Sequence, residues 1–424
     1  MTKTVKVGML GLGTVGGGVF KVLRNFDNIE IKKIAVNNIN KDRNIEGLNK
    51  DILTANPDEI VNDKEISILI EVIGGIEPAY SLIKQAIANK KHIITANKEL
   101  IAKYGKELFN LAKENNVVIL YEAAVAGGIP IIMPIKTSLA ANKFSNVAAI
   151  LNGTTNYILT KMEKDGADFA SVLKEAQELG YAEADPTNDV QGYDAAYKIC
   201  ILATIIFNKR CDVNKIFIEG IDKITPVDIE YARDLGYKIK LIALARESKG
   251  GKIDVRVHPM LVPLSQPLAH INNVLNAVVL NGHPVGQVMF SGPGAGEFPT
   301  ASSVVGDILS LVQEIKYTDY PLPMMRCRHD ETAVHLDIEE TTNKYYISVN
   351  TANTPGVLGE LGQIFGRNNI NLTSIIQKGI LEDGSARIVL LTEDALEKNV
   401  NKAINEITKL GVTKKILNIL RVMD

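Results

Sequence analysis

Residues Val5–Gly16 read VKVGMLGLGTVG: a six-residue apolar run to Leu10, then glycines at Gly11, Gly13 and Gly16, with Val19, Phe20, Val22 and Leu23 recurring at helical spacing beyond them. The order is strand, glycine turn, helix. A GxGxxG motif alone is common, but between a strand and a helix it has the context needed to hold the pyrophosphate of a dinucleotide. Gly11 permits the tight turn, Gly13 lets the backbone approach phosphate, and Gly16 allows close helix packing. The helix N-terminus adds free amides and a positive dipole end. The competing explanation is an ordinary glycine turn.

Working outward, strand-like runs follow at Ile29–Val36, Ile66–Ile73, His92–Thr95 and Val117–Tyr121, with helical stretches Tyr80–Asn89 and Lys103–Glu114 between them. Such alternation predicts an α/β fold with a doubly wound, Rossmann-type parallel sheet. Past Pro130 the pattern changes to helices, including Phe169–Leu179 and Gly192–Phe207. Strands follow near Ile239–Ala245, Ile253–Leu261 and Ala277–Leu280, predicting an α+β substrate domain. The glycine-rich stretch with Gly292, Gly294 and Gly296 runs into an apolar helix, Thr300–Gln313, expected to pack back on the first domain and make it discontinuous. The expected division is 1–130 plus about 297–318 for the dinucleotide, 131–296 for substrate, a proline-containing linker at 319–342, and a final unit at 343–424. That last unit has the order βαββαβ, with Asp383-Gly384 at its central hairpin turn.

An NAD-selective site usually ends its second strand with Asp or Glu on the ribose hydroxyls. Here the strand ends Ala35-Val36-Asn37-Asn38, and Lys41 and Arg43 follow. The expectation is that NADP is accepted, with NAD possible; solvated loop charges are the alternative for both basic residues. Thr95, Asn97 and Lys98 stand just beyond the C-terminal end of an apolar strand, where open α/β sheets bind ligands.

Tyr181–Lys198, YAEADPTNDVQGYDAAYK, concentrates Glu183, Asp185, Asp189, Asp194 and Lys198. On a helix, Asp194 and Lys198 share one face, four residues apart. Most such pairs are exposed and worth about 0.3–0.5 kcal/mol. The following residues, Ala195, Ala196, Ile199, Cys200, Ile201 and Leu202, are apolar nearly all round the helix, so this pair is expected to be buried and held as an acid/base device.

The chain has 424 residues, 46% of them hydrophobic and 23% charged, with a formal net charge of −2. That length implies two or three domains, and the charge balance offers no basic excess for nucleic acid. Cys200, Cys211 and Cys327 are odd in number and widely spaced, against a disulfide framework or structural zinc. A cytoplasmic protein without membrane spans or secretion signal is the expectation.

These residues resemble the homoserine dehydrogenase family over essentially the whole chain. The similarity is carried by GLGTVG, EVIGGIEP, ITANK, YEAAVAGGIP, LNGTTNYIL, the block ending at Lys198, and GPGAGEFPTASSVV, in the family's order. It implies reduction of aspartate semialdehyde to homoserine. Lys198 is implied as proton donor and acceptor, Asp194 as its partner, and Lys98 as a second lysine shared between cofactor and substrate. Glu183, Asp189 and Thr154 are implied on the substrate. Gly11, Gly13, Thr14, Val15, Gly16, Thr95, Lys98 and Gly296 are implied on the cofactor. A monovalent cation, usually sodium in the family, is implied at Glu122 with main-chain oxygens of Val125, Gly127 and Ile129. Many relatives carry a basic residue where Asn37 stands, so cofactor choice is the part the resemblance transfers least directly.

Residues Tyr345–Leu420 are similar to the ligand-sensing ACT domain, which implies a threonine effector. The turn at Asn353–Leu358 precedes a helix N-terminus suited to a carboxylate. Pairing of an exposed sheet edge with a second copy is the alternative role for this unit. The family further implies a homodimer or homotetramer, with dimerisation in the substrate domain. Two rivals stay open at this level. Aspartate-semialdehyde dehydrogenase needs a nucleophilic thiol that none of the three cysteines is placed to supply, and a non-catalytic sensor has no need of Lys98, Glu183, Asp194 and Lys198.

Overall fold

The computed structural model describes residues 4–317, 327 and 329–423. It divides into two compact units. The first comprises Met1–Val147, Ala196–Lys215 and Leu275–Ala333, and the second Ala148–Ala195, Ile216–Val274 and Val334–Asp424.

In chain order the first unit opens with β1 (Val5–Leu10), α1 (Thr14–Leu23), β2 (Ile29–Ala35), β3 (Leu53–Thr54), α2 (Asp58–Val61), β4 (Ile68–Glu71), α3 (Ala79–Ala88), β5 (His92–Thr95), α4 (Lys98–Glu114), β6 (Ile119–Leu120) and α5 (Ile132–Lys136). The six strands form a parallel sheet in the order β3-β2-β1-β4-β5-β6. Because helices cover such a sheet, its central strands are largely apolar, with Val7, Met9, Ile68 and Ile70 fully buried. The order reverses between β1 and β4, which places the topological switch point at the carboxyl end of β1.

β7 (Lys143–Ile150) carries the chain to the second unit, where α6 (Gly153–Asp165), α7 (Phe169–Glu178) and α8 (Thr187–Val190) lead into α9 (Tyr193–Phe207). There follow β8 (Phe217–Ile218), α10 (Pro226–Asp234), β9 (Tyr237–Glu247), β10 (Ile253–Pro263), β11 (Leu275–His283), β12 (Gly286–Pro293) and α11 (Glu297–Tyr317). α9 from Ala196 onward, β11, β12 and α11 belong to the first unit. In α11, Ala301, Val304, Val305, Ile308, Leu311 and Val312 share one apolar core with Val7, Met9, Val19 and Phe20.

The C-terminal module runs β13 (Thr342–Ala352), α12 (Val357–Arg367), β14 (Leu372–Gln377), β15 (Ser385–Thr392), β16 (Ala395–Leu396), α13 (Glu397–Thr408) and β17 (Thr413–Val422). Its sheet continues that of β9 and β10, since β17 pairs in parallel with β10 through Met260↔Arg421 and Leu261↔Val422. At the β14–β15 turn the Asp383 carboxylate accepts the Ser385 amide, and Gly384 takes φ 74°. The fold class is therefore the one the sequence implied: a parallel dinucleotide-type sheet, a second mixed sheet and a βαββαβ module.

Residues 318–326 and 328, all but the first within the expected linker, lie outside the described residues. Where it is described, the segment is clipped in place: Ala333 donates to the Arg210 carbonyl, and the amide of Leu336 to that of Ile253. Among the described residues no helix is long and apolar enough to cross a membrane.

Candidate active site

In the first unit, β1 ends at Leu10 and Gly11 turns the chain at φ 101°, its amide held by the Ala35 carbonyl at 2.9 Å. Gly13 is the N-cap of α1, with Thr14 and Val15 as the first helical residues. A cavity of about 530 Å³ opens over this turn, lined by Leu10–Gly13, Ala35–Asn38, Lys41, Arg43 and Val72–Gly74. Arg43 is folded over the β2 loop, donating to the carbonyls of Lys41 at 3.0 Å and Asn38 at 2.8 Å. Where a carboxylate would meet ribose hydroxyls, the wall carries amides and two cations. Gly296, with φ 123°, immediately precedes α11.

At the ends of β4 and β5, Glu71 is fully buried. Its carboxylate accepts the Thr95 hydroxyl at 2.5 Å and the amides of Ile73 and Gly74 at 3.0 and 3.1 Å. Burial pushes this carboxyl above its usual range, against those three donors. Asn97 continues the network: its amide donates to Thr95 Oγ1, its Nδ2 to the Gly75 carbonyl, and its Oδ1 caps α4 by accepting from Leu100. Lys98 is thus fixed as the first residue of α4. Glu71 was hidden in the sequence as one letter of EVIGGIEP.

Asp194 and Lys198 are both buried, at 6% and 9% exposure, one turn apart on α9. The helix is as apolar as its sequence implied, with Ala196, Ile199 and Leu202 fully buried. Within the second unit, Asn152 Nδ2 donates to Asp189 Oδ1 at 2.7 Å and to Asp194 Oδ2 at 3.0 Å. Thr154 donates its hydroxyl to the Tyr181 carbonyl at 2.7 Å, anchoring the acidic loop. The Glu183 side chain is exposed on that loop. The structure therefore brings Asp189 and Asp194 together through a residue the sequence did not single out.

The Glu122 carboxylate receives three amides at the start of α5, those of Ile131 and Ile132 on Oε1 and Met133 on Oε2, at 2.6 to 2.7 Å. Its own amide donates to Asp307 Oδ2 at 2.9 Å. Asp307 is pushed up to about 8 by burial and by the adjacent Glu122 charge. Ala126 and Gly127 both take left-handed φ, 56° and 53°, coiling the loop that carries the carbonyls of Val125, Gly127 and Ile129. The Gly127 carbonyl already accepts the Ser303 hydroxyl at 2.7 Å; hard oxygens of this kind are the donor type that suits a monovalent cation.

Cys200 and Cys211 are buried and their thiols pushed upward by burial, that of Cys211 to about 12, which is the opposite of what a thiolate nucleophile needs. A cavity of about 620 Å³ against α4 and the second half of α9 is lined by Cys200, Cys211, Phe109 and Arg210 and by none of the expected site residues.

A glycine turn at the switch point of a parallel sheet, with a buried lysine and aspartate on one helix face, defines a nicotinamide-dinucleotide oxidoreductase. Residues 11–122 match the family model described as homoserine dehydrogenase, NAD binding domain; residues 130–309 match homoserine dehydrogenase, and residues 345–412 the ACT domain. The chain is 45% identical to a homoserine dehydrogenase of Synechocystis sp., covering 99% of this chain and 100% of that one. It is 40% identical to one of Neisseria gonorrhoeae, covering 99% and 98%. The crystal structure of a homoserine dehydrogenase from Thiobacillus denitrificans superposes with a TM-score of 0.94 at 42% identity, over 100% of this chain and 99% of that one. A hyperthermophilic archaeal homoserine dehydrogenase in complex with NADPH superposes with a TM-score of 0.63 at 28% identity, over 76% and 100%.

The chain belongs to the homoserine dehydrogenase family. Its reaction is the reversible, nicotinamide-dependent reduction of L-aspartate 4-semialdehyde to L-homoserine.

Proposed function

We propose that this homoserine dehydrogenase prefers NADP and moves its proton through Lys198. The observation that carries the cofactor preference is the wall of the dinucleotide cavity, where Asn37 and Asn38 end β2 and Lys41 and Arg43 stand alongside. A 2′-phosphate needs cations there and is repelled by an acid. The NADPH bound to the archaeal relative agrees with this choice.

When bound, the nicotinamide supplies or accepts the hydride. Gly11, Gly13, Thr14, Val15 and Gly16 cradle the pyrophosphate, and Thr95 and Gly296 complete the pocket. Reduction of an aldehyde develops negative charge on its oxygen, which must be stabilised and then protonated. Lys198, oriented by Asp194 one turn before it, does both, and Lys98 adds positive charge beside the carbonyl. Glu183 binds the substrate ammonium, and Asp189 and Thr154 line its pocket. Glu122, with the oxygens of Val125, Gly127 and Ile129, would hold sodium, whose charge would stiffen the loop without touching the hydride step.

Residues 1–130 with about 297–318 serve the cofactor, 131–296 serve substrate and dimerisation, 319–342 link, and 343–424 sense threonine. The enzyme works in the cytoplasm as a homodimer or homotetramer. The test is homoserine-dependent reduction of NADP and NAD by the purified protein, with and without threonine and with sodium replaced by choline. A lower KM for NADP, inhibition by threonine and slower turnover in choline are expected. A strong preference for NAD would refute the cofactor assignment, and no response to millimolar threonine the effector.

A further inference from the structure

We infer that Asn152 is a positioning residue for the acid/base reaction, fixing the carboxylate of Asp194 and tying it to that of Asp189. The inference rests on the proposed roles of Asp194 and Lys198.

Asn152 is 5% exposed and caps α6 from an extended conformation, φ −129° and ψ 116°. Its Oδ1 accepts twice from Thr155, from the amide at 2.8 Å and from the hydroxyl at 2.9 Å, the hydroxyl being shared with the Asn152 carbonyl at 3.2 Å. Its Nδ2 donates to Asp189 Oδ1 at 2.7 Å and Asp194 Oδ2 at 3.0 Å. Two lone pairs and two N–H groups are all engaged, so the side chain has one satisfiable orientation. Turned over, it would set an NH₂ against the Thr155 amide and a carbonyl oxygen against two carboxylates. The assignment of oxygen and nitrogen is thereby dictated by chemistry.

A neutral donor here has a consequence a cation would not. It stabilises the ionised form of both acids and offsets their mutual repulsion, yet it does not compete with an ammonium for the charge of Asp194. The carboxylate can then act on Lys198, one turn further along α9. Capping does not explain the choice of residue, because Ser and Asp cap helices about as well as Asn. Only the contact with two carboxylates requires the amide.

That difference supplies the experiment. Asn152→Ser keeps the cap and removes the NH₂ without adding charge, while Asn152→Asp keeps the cap and sets a third carboxylate beside the first two. The expected result for N152S is a melting temperature close to that of the parent and a kcat lower by roughly 10- to 100-fold, the cost of a misplaced group. The KM for homoserine should change less. The acidic limb of the kcat–pH profile should move to higher pH, and further still in N152D. Should N152S fail to fold, Thr155→Val, which unlatches the amide while leaving Asn152 in place, reads the same limb. A normal kcat with an unmoved acidic limb in N152S, or a slower enzyme with an unmoved limb, would overturn the inference. Lys198→Ala assayed in parallel separates the two levels. If K198A keeps normal turnover, the underlying acid/base assignment fails; if K198A is crippled and N152S is not, only the role of Asn152 fails.

Discussion

A Cβ placed on Gly16 would stand 2.4 Å from the carbonyl oxygen of Gly11, whereas one on Gly13 would meet nothing within 4 Å. The two glycines therefore answer to different demands. Gly16 is needed by the fold, where the first turn of α1 passes over the end of β1, and Gly13 is needed only if something must lie against its backbone. Gly13→Ala is expected to leave the melting temperature unchanged and raise the KM for the dinucleotide at least tenfold. Gly16→Ala should also destabilise by about 1–3 kcal/mol. Calorimetry and cofactor titration of the pair check this, and a G13A enzyme with normal KM would remove the phosphate cradle from that turn.

Arg43 and Lys41 stand at the β2 end of the same cavity. Replacing Arg43 with Ala should weaken NADP by about one to two orders of magnitude, the usual value of a lost charge-assisted contact of about 1.5–3 kcal/mol. NAD should be nearly unaffected. Equal losses for both cofactors would mean that Arg43 merely braces its loop through Asn38 and Lys41.

Removal of the Lys198 amine by Lys198→Ala is expected to cut kcat by about 10² to 10⁴, the range of general acid/base catalysis. Lys198→Arg should rescue little, since a guanidinium keeps its proton at any working pH. Steady-state rates in both directions decide it, and near-normal turnover in the alanine variant refutes the assignment.

His92 opens β5 and accepts the Val118 amide on Nδ1 at 3.2 Å. Burial lowers it from 6.5 to about 4. The unfolded chain thus takes up a proton at this position before the folded protein does. Its contribution is complete above pH 6.5 and declines as pH falls toward 4. His329, lowered to about 3 by burial, acts with the same sign. His92→Asn, whose Oδ1 can take the same amide, should show a smaller drop in melting temperature between pH 7 and pH 4.5 than the parent. Parallel curves would show that His92 carries none of the acid sensitivity.

The elements that the sequence made legible are those with one clear period. β1 and β5 begin and end where periodicity placed them, because each is a short, largely apolar run bounded by polar or turn residues. α4 starts at Lys98, before the Lys103 of the pattern, since Asn97 caps it and Leu100 and Ile101 already begin the buried face that Leu108, Phe109 and Ala112 continue. β12 was not read at all: five of the eight residues Gly286–Pro293 are exposed and none is fully buried, so burial left little imprint.

The site divides in the same way. Lys198 and Asp194 were legible because a helix relates neighbours four residues apart. Asn152 was not, because its partners Asp189 and Asp194 lie far along the chain, and only folding gives it a meaning beyond the cap. The three amides on Glu122 were equally out of reach, since nothing local announces that its carboxylate closes the start of α5.

The placement of α11 in the core of the first sheet bears on how the chain is made. The ribosome delivers β1–β6 long before Ala301, Val304, Val305 and Ile308 emerge to cover them. At about 5–20 residues per second, the nascent half-domain waits for tens of seconds with its greasy flank open to water. The N-terminal third of this polypeptide is thus made with part of its apolar core still missing, and a nucleotide-binding fragment cut from it is expected to need the late helix supplied with it.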